Sequence, residues 1–164
     1  MHVLPGDMAS HSSLTTAAEL ATPLLPSGLD VLIVNGAYIN HDTAFLPSSA
    51  FASRTQAQVL HDDMHASLDT NVLGVVYSIN AFLPLVLKGT IRKVVVISTG
   101  LADTDLVNPA DGTDGNPVQV TYSTMKAALN MVVAKFAAEL KSQNVKLLAL
   151  SPGVVNTKET ARKF

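Results

Sequence analysis

Cysteine is absent from this 164-residue chain, which excludes disulfides and thiolate chemistry. Charge is scarce as well: 15% of residues are Asp, Glu, Lys or Arg, and the formal net charge is -2. Without a basic excess the chain has no electrostatic footprint for nucleic acid or an anionic membrane. The start, Met1-His2-Val3-Leu4-Pro5-Gly6-Asp7, lacks the basic opening and the long apolar core of a signal peptide. The longest apolar stretch of helical pattern, Gly74 to Leu87, is broken by Ser78, Asn80 and Pro84. It is too short to span a bilayer. These absences lead us to expect a soluble, cytoplasmic protein with neither a nucleic acid nor a membrane as partner.

Hydrophobic residues are plentiful, at 48%, and the length suffices for one domain with a sizeable core. Three short apolar runs stand out: Val31-Leu32-Ile33-Val34, Val94-Val95-Val96-Ile97 and Leu147-Leu148-Ala149-Leu150. None alternates with polar residues, the pattern of strands buried on both faces of a parallel sheet. His2-Val3-Leu4 is a candidate stub of a fourth strand. Helical patterns lie between the runs. The first carries Leu14, Ala17, Ala18 and Leu20 behind a Ser12 or Ser13 cap. The second carries Met64, Leu68, Val72, Val75, Ile79 and Phe82 at steps of three and four. The third carries Tyr122, Met125, Leu129, Val132, Phe136 and Leu140. Alternating strands and helices predict an α/β, Rossmann-like, doubly wound parallel sheet in a single domain over residues 1–164. The polar stretch Asp103 to Asn116 is a long loop, and such loops often act as lids.

Tyr122-Ser123-Thr124-Met125-Lys126 sets a phenol and an ammonium one helical turn apart, on one face. A phenol normally titrates near ~10. A cation beside it favours phenolate and lowers that value, so the phenol can give or take a proton during carbonyl chemistry. The bland alternative is a buried tyrosine and a solvated lysine, since this spacing is common by chance. The strand ends change the balance. Asn35-Gly36-Ala37 follows the first run, Ser98-Thr99-Gly100 the second and Ser151-Pro152-Gly153 the third. Strand C-terminal ends border the crevice where doubly wound sheets bind ligands.

With these motifs in order, the chain resembles the short-chain dehydrogenase/reductase family along nearly its whole length. Asp30 to Ala37 is similar to the family's strand-four stretch ending Asn-Asn-Ala-Gly, although this chain reads Val34-Asn35-Gly36-Ala37. Asp69-Thr70-Asn71-Val72-Leu73-Gly74 resembles the segment bearing the family's catalytic asparagine. Tyr122 and Lys126 match Tyr-x-x-x-Lys, and Pro152-Gly153-Val154-Val155-Asn156-Thr157 matches Pro-Gly-x-Val-x-Thr. The resemblance implies an NAD(P)-dependent oxidoreductase that interconverts a small carbonyl compound and its alcohol. NADP or NAD is the implied cofactor, with NADP favoured. Tyr122 would protonate the alkoxide, and Lys126 would lower the phenol's pKa and hold the nicotinamide ribose. Thr99, or Ser98, would polarise the carbonyl. Asn71, through a helix distortion, would hold a water that relays protons to Lys126. The implied cofactor contacts are Asp7, Asn35, Gly36, Ala37, Tyr122, Lys126, Pro152, Gly153, Val155 and Thr157.

One family element is missing from the sequence. No G-x-x-x-G-x-G or G-x-G-x-x-G occurs, so the backbone cradle for a pyrophosphate at a helix N-terminus is not encoded here. The chain is expected to begin at the family's third strand and to stop before its last helix and strand. Val31–Val34 would then form an open sheet edge, and a homo-oligomer is one way to cover it. The alternative function is a non-catalytic remnant that persists as an interaction module. His61 and His65 have the spacing of a metal-binding helix pair, but no third ligand is evident, so no metal is expected.

Overall fold

The computed structural model describes residues 1–153. Helix α1 (His11–Ala21) begins at Ser10, whose hydroxyl accepts the Ser13 amide at 3.3 Å. Strand β1 (Val31–Val34) follows, then α2 (Arg54–Leu68) and α3 (Gly74–Lys88). Strand β2 (Lys93–Ile97) leads through the short α4 (Thr104–Val107) to α5 (Val120–Glu139) and β3 (Lys146–Leu150). The strands form one parallel sheet in the order β1-β2-β3, so the α/β class and its parallel pairing stand.

Parallel neighbours need crossovers, and crossovers are right-handed. Both crossovers here step across the sheet in the same direction, so their helices land on the same face. Val34, Val94 and Val96 point into that face and pack with Val75, Ile79 and Val86 of α3 and Leu129 and Val133 of α5. Each such side chain contributes ~1.5–3 kcal/mol by leaving water. The opposite face carries Ile33, Val95 and Leu148 in register, with Ile97 beside Leu150. No helix covers it among the described residues: Ile33 is 62% exposed, Leu148 51% and Leu150 40%. The sequence pattern of burial on both faces is therefore corrected to burial on one. Unbroken apolar runs are compatible with both arrangements.

Helices α2 and α3 run on as one 35-residue helix, Arg54–Lys88. They are joined by a π-helical turn at Asp69–Leu73. Asp63, Ser67 and Asn71 form a buried polar stripe at four-residue steps, which Val75 and Ile79 continue as apolar core. By length and hydropathy this helix could cross a membrane, contrary to the estimate from Gly74–Leu87 alone. Its most apolar side chains are instead spent on the core. Gly74 is needed where it stands, because a Cβ there would meet the Met8 carbonyl oxygen at 2.6 Å. Other expectations shift in detail. His2–Leu4 forms no strand, Leu20 and Leu68 are exposed, and Val133 rather than Val132 is the fully buried valine of α5. The Asp103–Asn116 stretch contains α4.

Candidate active site

The C-terminal ends of β2 and β3 and the first turns of α5 enclose a crevice of about 510 Å³. Thr99, Tyr122, Pro152 and Gly153 all line it, with Leu101 and Leu106 as an apolar wall. Tyr122 is half-buried, and burial pushes its phenol above the usual 10.0. Lys126, one turn on, is 2% exposed. Its Nζ donates to the Ile97 carbonyl oxygen at 2.7 Å and lies 5.8 Å from the centroid of the Tyr122 ring. Burial draws the ammonium below its usual 10.5. Both shifts favour the uncharged forms. Burial is the cause of both shifts, because removal from water disfavours the charged form of each group.

The two hydroxyl candidates separate. Ser98 is buried and its Oγ donates to Asn130 Oδ1 at 2.7 Å, which ties β2 to α5. Thr99 is half-exposed and its Oγ1 accepts only the Leu101 amide, at 3.2 Å. That bond leaves the Thr99 O–H available to a ligand.

Asn71 is fully buried and fully engaged. Its Oδ1 accepts the Tyr38 amide at 2.7 Å, while Nδ2 donates to Tyr38 O at 2.9 Å and to Ser67 Oγ at 2.7 Å. The π turn matches the expected helix distortion. The side chain clamps the segment after β1. Asn35 and Gly36 line a separate cavity of about 400 Å³ with Met8, Ile33 and Phe82, and Ala37 is exposed nearby. Asp7 closes the turn before α1, its Oδ1 accepting the Ala9 amide at 2.9 Å. Val155 and Thr157 lie outside the described residues. Thr99, Tyr122, Pro152 and Gly153 thus line one crevice with Lys126 behind Tyr122, while Asn35 and Gly36 line the neighbouring cavity beyond β1.

His61 and His65 do meet, Nε2 to Nε2 at 3.0 Å, on an exposed face of α2. No group of three metal-binding side chains forms among the described residues. Sequence reasoning missed the buried set Thr43, Asp63, Gln119 and Thr121, which lies behind Tyr122. The four-residue spacing of Asp63, Ser67 and Asn71 was the available signal.

The family model for short chain dehydrogenases matches residues 1–164. The chain belongs to the short-chain dehydrogenase family. It is 37% identical over 160 residues to the short-chain dehydrogenase/reductase atnB of Arthrinium sp, covering 98% of this chain and 58% of that protein. Against the short-chain dehydrogenase/reductase AacuF of Aspergillus aculeatus the identity is 38% over 162 residues, with the same two coverages. The chain thus spans little more than half the length of these curated relatives. Among solved structures, the Sniffer protein of Caenorhabditis elegans superposes with a TM-score of 0.73 at 26% identity, over 99% of this chain and 67% of that one. The NADPH-bound carbonyl reductase from chicken fatty liver gives 0.68 at 22% identity, over 93% and 57%, a likeness of fold.

For a nicotinamide cofactor the fit of this short-chain dehydrogenase chain is partial. The crevice offers a phenol, a hydroxyl and the backbone of Gly153, where a Cβ would meet nothing within 4 Å among the described residues. Those features suit the nicotinamide end. The sequence holds no glycine-rich turn for the pyrophosphate, and Lys126 is turned inward to Ile97.

Proposed function

We propose that this chain carries the nicotinamide-side half of a carbonyl–alcohol oxidoreductase site, with Tyr122 as the proton-transfer group. The observation that supports this most is the convergence of the Tyr122 phenol and the Thr99 hydroxyl on one crevice beside Pro152 and Gly153. A nicotinamide cofactor, NADP ahead of NAD, would supply or accept the hydride. Thr99 would donate its O–H to the substrate carbonyl oxygen. Tyr122, kept protonated by burial, would deliver the proton in the reductive direction. Lys126 would brace the Tyr122 ring from within. The apolar wall of Leu101 and Leu106 suits a small hydrophobic ketone or alcohol. We place the protein in the cytoplasm, without a nucleic acid or a membrane as partner.

The test is nicotinamide-dependent reduction of small ketones, with NADPH and NADH in parallel, by a version of the chain extended with a glycine-rich phosphate-binding segment. The chain as it stands should bind either nucleotide weakly and show little turnover. Tyr122→Phe should lower turnover by about 10²–10⁴-fold. Near-normal turnover in that variant would remove Tyr122 from the mechanism. A second reading, a non-catalytic interaction module, draws support from the bare sheet face around Ile33 and Leu148. It becomes the better account if the extended version, too, neither turns over ketones nor binds either nucleotide at millimolar concentration.

A further inference from the structure

Behind Tyr122, between α2, the segment after β1 and the start of α5, lies a small polar chamber. Its lining residues include Asp63, Gln119 and Thr121, whose buried Oδ1, Oε1 and Oγ1 have no hydrogen-bond partner among the described residues. Asp63 is 4% exposed and Thr121 7%. The other Asp63 oxygen, Oδ2, is already engaged by the Thr43 hydroxyl at 2.6 Å. An unmade hydrogen bond at a buried polar atom costs about 1–3 kcal/mol, so three around one space call for a shared partner. The room open to a water's centre is about 10 Å³, enough for one molecule and for nothing larger.

We infer that this chamber is a hydration site for a single structural water that pins the first turn of α5. The donor and acceptor count closes. The water gives its two hydrogens to Asp63 Oδ1 and Gln119 Oε1 and accepts the Thr121 O–H. All three orphaned atoms are then satisfied by one molecule. The bridge links α2 to the residues on either side of Val120, next to Tyr122, which also lines the chamber. Gln119 is the residue that needs such a hold. It caps α5 in the left-handed region at φ 62, uncommon for a side chain of its kind, and among the described residues its backbone is anchored across the fold by the Ala44 carbonyl alone, at 2.8 Å. The inference rests on packing alone and stands or falls independently of the proposed enzymatic activity.

A high-resolution crystal structure of the purified chain tests it directly. One ordered water within hydrogen-bond distance of all three atoms is the expected result. An empty chamber, with the Gln119 amide turned so that its nitrogen donates straight to Asp63, overturns it. Hydrogen exchange supplies a second test that needs no crystal. Thr121→Val keeps the shape and deletes the only donor to the water. It should speed exchange at the Gln119 and Ser123 amides by about tenfold while leaving the amides of β2 unchanged, and Thr121→Ser should restore protection. Unchanged exchange at Gln119 and Ser123 in Thr121→Val would show that nothing bridges the chamber.

Discussion

The two faces of the sheet are built from the same three strands and the same kinds of residue, yet they have opposite fates. Val34, Val94 and Val96 lie under helices, whereas Ile33, Leu148 and Leu150 face outward. Chemistry does not separate them, because all are aliphatic. Their parity along the strand does, together with a chain that steps across the sheet in one direction. Right-handed crossovers in a single direction load one face only, and a doubly wound sheet covers its second face by reversing direction. Apolar content therefore says that a strand can be buried on both sides. Winding decides whether it is.

The sharpest test of that contrast compares truncations on the two sides. Leu129→Ala, beneath the covered face with Leu129 at 0% exposure, should cost about 2–5 kcal/mol in chemical unfolding. Leu148→Ala, on the bare face, should stay within about 0.5 kcal/mol. Equal losses would mean that something covers Leu148 in solution. Next in size is Asn71→Ala on the covered side. It strips Tyr38 of both backbone partners and should cost about 1–3 kcal/mol, read in the same unfolding experiment. A third variant works on association instead of stability. An exposed apolar face and an open β1 edge invite self-association, so the purified chain should sediment as more than a monomer. Ile33→Thr with Leu148→Lys should shift it towards monomer. A wild-type chain that stays monomeric at high concentration would show that the bare face is harmless.

The smallest expected effect is on pH dependence. Lys126 has a lowered pKa from burial, so below 10.5 the unfolded chain holds this proton more tightly than the folded one. Stability therefore rises with pH through the interval between the lowered value and 10.5. Tyr122 is raised by burial. Above 10.0 the folded chain holds the phenol proton more tightly, and stability falls with rising pH. Relative to the wild type, Lys126→Met should show its largest gain at neutral pH, shrinking as pH approaches 10.5. Tyr122→Phe should flatten the decline above pH 10. Denaturant midpoints across pH 7 to about 11 measure both, and a pH-independent gap for Lys126→Met would contradict the burial of its ammonium.

Much of the site was legible because its motifs follow strand ends. Placing Thr99, Tyr122 and Pro152 at the C-terminal ends of parallel strands puts them at one crevice by topology alone. The finer assignments were not legible. Ser98 and Thr99 are adjacent hydroxyls, and only the neighbouring Asn130 on α5 shows which is occupied. Asn71 carries the expected helix distortion, but Tyr38, thirty-three positions earlier, decides what its amide binds. The burial of the Tyr122–Lys126 pair was not legible, because spacing reports the two groups and not the water excluded around them.

The sequence by itself determined the parallel α/β class, the three strands and the Tyr–Lys helix. Each of these rests on local pattern: apolar runs, helical periodicity and a fixed four-residue step. Only the tertiary structure decided which face of the sheet is covered, that Asn71 clamps Tyr38, and that Lys126 turns to Ile97. Those outcomes depend on crossover direction and on contacts between residues far apart in the chain, and neither leaves a local signature.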